Sequence, residues 1–171
     1  MSAPGVLKVA RTPTGFCLRI EGRGTMRESR SAAAFVEQAL AASPAPGIVV
    51  DLSSCEYLDS TFLGCLVEMQ RRAGKAPGAQ GVAGPRFVVS APPERVKKLL
   101  SPTKLDLALK RTAEPPEVSG EWVDLPAADP ASPDVMRHVM ECHRRLAEMD
   151  TPAKAAFTKI ADLMEQELKK E

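Results

Sequence analysis

The 171-residue chain is 44% hydrophobic and 26% charged, with a net charge of +1, so it can hold one domain of about 100–150 residues plus an extension. It carries no clustered basic run, which argues against a protein held on nucleic acid through phosphate contacts. No run of about 18 apolar residues offers a membrane span, and the opening Met1-Ser-Ala-Pro-Gly5 has no signal-peptide core, so direct membrane insertion is not expected.

Residues 6–22 read as two strands about Thr12-Pro13-Thr14-Gly15, the second alternating Phe16, Leu18 and Ile20 with Cys17, Arg19 and Glu21. Thr25-Met-Arg-Glu28 has the spacing of a capping box and opens a helix whose Ala32, Phe35, Val36, Ala39 and Leu40 share a face. Pro44 and Pro46-Gly47 end that helix. Ile48-Val-Val-Asp-Leu52 is apolar until Asp51, as in an interior strand covered on both faces, or on one face of a small mixed sheet. After a short polar loop, Asp59-Ser60-Thr61 opens an apolar helix over 61–72 that ends near Gly74. Residues 74–84 read as a glycine-rich loop, 86–90 as a strand, and Pro92-Pro93 as the start of a short helix carrying Val96, Leu99 and Leu100. Residues 105–109 read as a turn and a last short strand. Strands separated by single helices need crossover connections, which predicts a parallel or mixed sheet with helices packed against it.

The segment 114–131, rich in Pro, Ala, Asp and Glu, reads as a Pro-rich tether in which Trp122 docks as an apolar anchor. Ser132-Pro133 and Thr151-Pro152 each set an N-cap residue before a proline at the first helical position, predicting a helical hairpin over 132–171. Val135, Val139, Cys142, Leu146 and Met149 share a face of its first helix, and Phe157, Ile160, Ala161, Met164 and Leu168 a face of its second. A lone helix pair has too little core to stand by itself, so the hairpin is expected to pack on the domain or on a second copy, the latter making a homodimer.

Ser60 and Thr61 lie beside the Asp59 carboxylate at a helix N-terminus, where unpaired N–H groups and the helix dipole favour negative charge. The same residue types are also ordinary helix caps. Asp51-Leu52-Ser53 followed by Asp59-Ser60-Thr61, with Leu63 and Gly64 beyond, resembles the STAS domain of bacterial anti-sigma factor antagonists. The resemblance covers roughly residues 5–113 and implies a STAS-like α/β fold, a mixed sheet of four to five strands with helices packed on it. It also implies a non-enzymatic module of transcription regulation that binds an anti-sigma factor or serine/threonine kinase. Phosphorylation at Thr61, with Ser60 as the alternate, would switch that binding. Phe62 departs from the family, which has glycine there, and would limit how closely a partner backbone approaches Thr61.

Leu63, Leu66 and Val67 form the face of this helix that should meet the sheet, while Phe62, Cys65 and Met69 form a second apolar face about 120° away. Either a neighbouring helix or the hairpin covers that second face, or it joins Asp59, Ser60 and Thr61 as a partner-binding surface. Two other functions stand beside the regulatory one. The first is an unphosphorylated STAS-type adaptor or assembly subunit, stressosome-like or associated with a transport ATPase. The second is a small enzyme with an unrecognised site. No Gly-x-Ser-x-Gly elbow, P-loop or His-Glu-x-x-His occurs. His138 and His143 lie five apart on a helix and cannot share a metal in the i, i+4 manner; His143 falls near the apolar edge and His138 nearer the polar face, and both are expected to be structural. The scattered Cys17, Cys55, Cys65 and Cys142 form no Cys-x-x-Cys pair and read as buried thiols of a reduced, cytoplasmic protein, with no metal and no cofactor expected.

Overall fold

The computed structural model describes residues 4–42, 44–76, 87–149 and 154–170. Most of the glycine-rich loop, Thr151-Pro152 and the side chains of Phe157 and Ile160 lie outside the described residues. The chain opens with an antiparallel hairpin, β1 (Val6–Thr12) and β2 (Gly15–Gly24), that pairs Leu7 with Ile20 and Val9 with Leu18. Parallel to β2 runs β3 (Gly47–Asp51), then β5 (Phe87–Ser90), then β6 (Arg111–Thr112) at one edge. Two strands absent from the sequence reading complete a seven-stranded mixed sheet. β4 (Cys55–Leu58) pairs in parallel with the far end of β2, and β7 (Val123–Leu125) pairs antiparallel with β1.

β4 is too short for its pattern, buried Cys55 and Leu58 around exposed Glu56 and Tyr57, to show a period. β2 reaches it through an irregularity in register between Gly22 and Arg23, where Gly22 has φ 74°, a conformation open to glycine. β7 lies in the segment read as a tether. The outer edge of β1 offers unpaired N–H and C=O groups, and Val123–Leu125 supplies partners for them. Residues 105–109 form no strand. They enter a short 3-10 turn over Leu105–Leu107, and the edge strand β6 follows it.

Alternation along the strands sends Leu7, Val9, Leu18, Ile20, Ile48, Val50, Phe87 and Val89 into one buried layer. Against this layer and each other pack α1 (Met26–Leu40) and α2 (Ser60–Lys75), so the sheet carries its main core on one face. α1 begins with the expected capping box between Thr25 and Glu28. α3 (Pro93–Leu99) starts after Pro92 and sits by β4. On the opposite face Arg19 Nε donates to Asp51 Oδ2 at 2.9 Å, and the Arg19 guanidinium stacks 4.1 Å from the ring of Trp122. Trp122 therefore anchors its segment through a cation–π contact as well as apolar burial.

α4 (Pro133–Ala147) is capped by Ser132, whose hydroxyl accepts from Asp134 N, and it packs across α2 and α1. α5 (Lys154–Lys169) packs on α4, with Arg144 bonded to Asp162 at 2.8 Å and to Glu165 at 3.2 Å. The α4 backbone lies tight against α2 at Gly64. A Cβ there would lie 2.7 Å from the carbonyl carbon and 3.0 Å from Cα of Cys142.

Candidate functional site

The turn Leu52-Ser53-Ser54 between β3 and β4 is held by Asp51, which accepts from Ser53 N at 2.9 Å while it pairs with Arg19. Asp51 thus shapes the route from the central strand to α2. At the end of that route Asp59 caps α2, one carboxylate oxygen accepting from Phe62 N at 2.8 Å. Its other oxygen accepts from Met26 N, also at 2.8 Å, so one carboxylate serves the N-termini of both α1 and α2. Two positive helix ends converge on one charge. Burial nevertheless pushes the Asp59 carboxyl above its ordinary value, with the Glu28 charge adding to the rise and the backbone donors opposing it.

Ser60 and Thr61 occupy the first turn of α2 but sit differently. The half-buried Ser60 hydroxyl lies 2.8 Å from His143 Nε2 on α4, whereas Thr61 is only 3% exposed. Burial lowers the His143 pKa, which keeps the imidazole neutral in this seam. Of the hydroxyls singled out from the sequence, that of Ser60 therefore meets the C-terminal helix, and Thr61 is buried away from open solvent.

Phe62, Cys65 and Met69 are all core residues, Phe62 with no exposed surface. The reading of these three as an exposed docking patch is corrected by that burial; α1 and α4 cover the stripe. Phe62 also does not project toward a partner beside Thr61. Its ring packs with Leu58 over Gly24, where an added Cβ would come within 2.5 Å of Leu58 Cδ2 and 3.0 Å of Phe62 Cδ2. A bulky residue in place of the family glycine is accommodated by a glycine 38 positions earlier.

His138 and His143 are both buried, correcting the placement of His138 near the polar face of α4. α4 is flanked by α2 and α5, so more than one stripe of it is covered. His138 Nε2 lies 2.8 Å from the Ser29 hydroxyl of α1. Cys142 Sγ lies 3.6 Å from His138 Nε2 and 3.8 Å from Nδ1, within 4.8 Å of Cys65 Sγ of α2. This assembly escaped the sequence reading, although the i, i+4 spacing of His138 and Cys142 was there to be seen.

The charged fringe of the seam is Glu68 of α2, which accepts from Arg71 and Arg72 of its own helix and from Arg145 Nε of α4 at 2.5 Å. Burial alone would raise the Glu68 carboxyl. The Arg71 and Arg72 hydrogen bonds and the Arg145 charge outweigh it and hold the pKa at about 2. A carboxyl held below its ordinary value of 4.5 stabilises the fold fully above that pH, and the contribution is lost as pH falls toward about 2. His143, held low by burial, makes the fold lose stability as pH falls through 6.5, while raised Asp59 works the other way. Urea melts of Glu68→Gln should show a flatter loss of stability between pH 4.5 and 3 than wild type, by on the order of 1 kcal/mol for a partly screened network. Parallel pH profiles for the two proteins would contradict this.

Among the described residues no helix is long and apolar enough to cross a membrane. No curated protein matches the chain. The family model described as the Mlab STAS domain matches residues 8–109. These residues span the sheet from β1 to the end of the 3-10 turn, with α1, α2 and α3 upon it. With more than half its length matched and the strand–turn–helix of Asp51 to Gly64 built as described, the chain belongs to the Mlab STAS domain family.

Proposed function

We propose that the chain is a non-catalytic, cytoplasmic regulatory module of the anti-sigma factor antagonist kind, whose α2 face is occupied by its own α4 until a partner or a phosphoryl group displaces it. The observation that carries this reading is the placement of Ser60 against His143 with Thr61 buried beside it. A phosphoryl group on Thr61, or on Ser60 as the alternate, brings about −1.5 to −2 charges. Within the seam it meets a neutral imidazole and the Asp59 carboxylate, and it has no room under α4. Modification and α4 docking are therefore mutually exclusive. The partner, an anti-sigma factor or a serine/threonine kinase, takes the place of α4 on α2 and finds exposed Ser53, Ser54, Glu56 and Tyr57 at the rim.

A second reading makes the protein a STAS-type adaptor or assembly subunit of a multiprotein complex, such as a transport ATPase, without phosphorylation. The near-complete burial of Thr61 and the match to the Mlab STAS domain favour it. Here α4 is a permanent part of the fold and the rest of the hairpin makes the assembly contact.

The test is intact mass and phosphopeptide mapping after the full chain and its Gly64→Ala variant are incubated with host extract and ATP. The regulatory reading expects phosphate on Thr61 or Ser60, gained faster in the variant. Absence of phosphate from both, with a stable stoichiometric complex containing an ATPase, establishes the second reading instead.

A further inference from the structure

Three side chains that play no part in the proposal above meet beneath α4. Cys65 Sγ from α2, Cys142 Sγ and a ring nitrogen of His138 from α4 all lie within 4.8 Å of one another, and all three residues are buried. We propose that Cys65, His138 and Cys142 bind one soft divalent cation, zinc by chemistry, that clips α4 to α2. The site does not rest on the protein-binding reading, but a bound cation opposes the displacement of α4 which that reading requires.

The geometry is close to what zinc requires. Bonds of about 2.3 Å to sulfur and about 2.0–2.1 Å to imidazole, set tetrahedrally, put sulfur about 3.6 Å from nitrogen and the two sulfurs about 3.8 Å apart. Cys142 Sγ stands 3.8 Å from His138 Nδ1. Side-chain shifts of an ångström or less therefore close the site.

The tautomer of His138 is also set for ligation. The Ser29 hydroxyl donates to Met26 O at 3.2 Å, so it accepts at 2.8 Å from His138 Nε2–H. That leaves Nδ1 as the ring's lone-pair atom, with Cys142 Sγ 3.8 Å from it and 3.6 Å from Nε2, so a small turn of the ring or the thiol brings Nδ1 and sulfur onto one cation. A hydrogen-bonded outer partner that fixes ring orientation is the usual companion of a metal-bound histidine. A cavity of about 240 Å³ lies against the three residues and is also walled by Glu68, Asp134 and Glu141. Arg30, Arg72 and Arg137 share the wall with these acids, and the cavity leaves room for a water or an outside ligand in the fourth position.

Both thiols must lose their protons to bind zinc, and the neighbouring Cys65 thiol, together with burial, raises the Cys142 pKa. Binding therefore releases about two protons and weakens as pH falls. A cation at this point would hold α4 in place by direct bonds to two helices, so its removal would loosen the seam.

The full chain, kept reduced and stripped of metal, is titrated with Co²⁺ and then with Zn²⁺ in competition. A thiolate-to-cobalt charge-transfer band saturating at one equivalent is expected, displaced by zinc, with a raised melting temperature for the zinc form. Cys65→Ser and Cys142→Ser should each lose at least 100-fold in affinity. Ser29→Ala, which removes only the outer partner, should lose about 10- to 100-fold. Cys17→Ser and Cys55→Ser should bind as wild type. Failure of the reduced wild-type chain to give the band, or binding retained in Cys142→Ser, would overturn the site and leave the three side chains as a hydrogen-bonded packing cluster.

Discussion

Gly64→Ala is expected to prise α4 from α2 while leaving α2 itself a better helix. Alanine in a helix interior is favoured over glycine by roughly 1 kcal/mol, so an unobstructed site would gain stability. Here the added Cβ meets backbone, 2.7 Å from the Cys142 carbonyl carbon, and no side-chain rotation can relieve it. Overpacking of this kind costs about 1–3 kcal/mol, and the cost falls on the α2–α4 seam. Hydrogen exchange should quicken in α4, and Cys65 and Cys142 should react with a thiol reagent well before Cys17, which lies on the far face of the sheet. Uniform stabilisation, with all four thiols still protected, would mean that α4 does not press on Gly64.

Phe62→Ala should cost about 3–5 kcal/mol, the range for a fully buried phenylalanine. The ring has no exposed surface and fills the space left by the missing Cβ of Gly24, so the cavity would open between β2 and the start of α2. A urea melt reads the loss directly. A midpoint and slope unchanged from wild type would return Phe62 to the surface and to a binding role. In the double variant Gly24→Ala/Phe62→Ala the two effects should not add independently, because a Cβ at position 24 meets Phe62 and Leu58 alike and the emptied ring volume gives the Leu58 side chain room to move.

What the sequence disclosed was local. The Thr25–Glu28 capping box, Pro92-Pro93 and Ser132-Pro133 each carry their signal within four residues, and each starts a helix where it was expected. The Asp51 to Gly64 segment disclosed the family for the same reason: its strand, turn and cap are contiguous. What remained hidden depends on neighbours distant in the chain. β7 is a strand only because β1 offers an edge, and nothing within Val123–Leu125 states that need. Phe62 could be read as a bulky intruder near Thr61 because its host, Gly24, is far away in sequence. A helical wheel counts one buried stripe, so His138 was assigned to the polar side. With α2 on one flank and α5 on another, α4 buries it. The Cys65–His138–Cys142 cluster combines a short-range pair with a residue from another helix, and only its short-range half was legible.

The pairing of β1 with β7 also sets a timetable. Val9 meets Val123, so β1 leaves the ribosome well before the strand that fills its outer edge. At about 5–20 residues per second, the interval is roughly 6–23 s. Through that interval the nascent sheet presents a row of unpaired backbone groups, the feature that invites strand addition from another chain. Lys8 and Arg11 lie along this edge, and like charges on neighbouring nascent chains discourage edge-to-edge contact until the C-terminal segment arrives to close it.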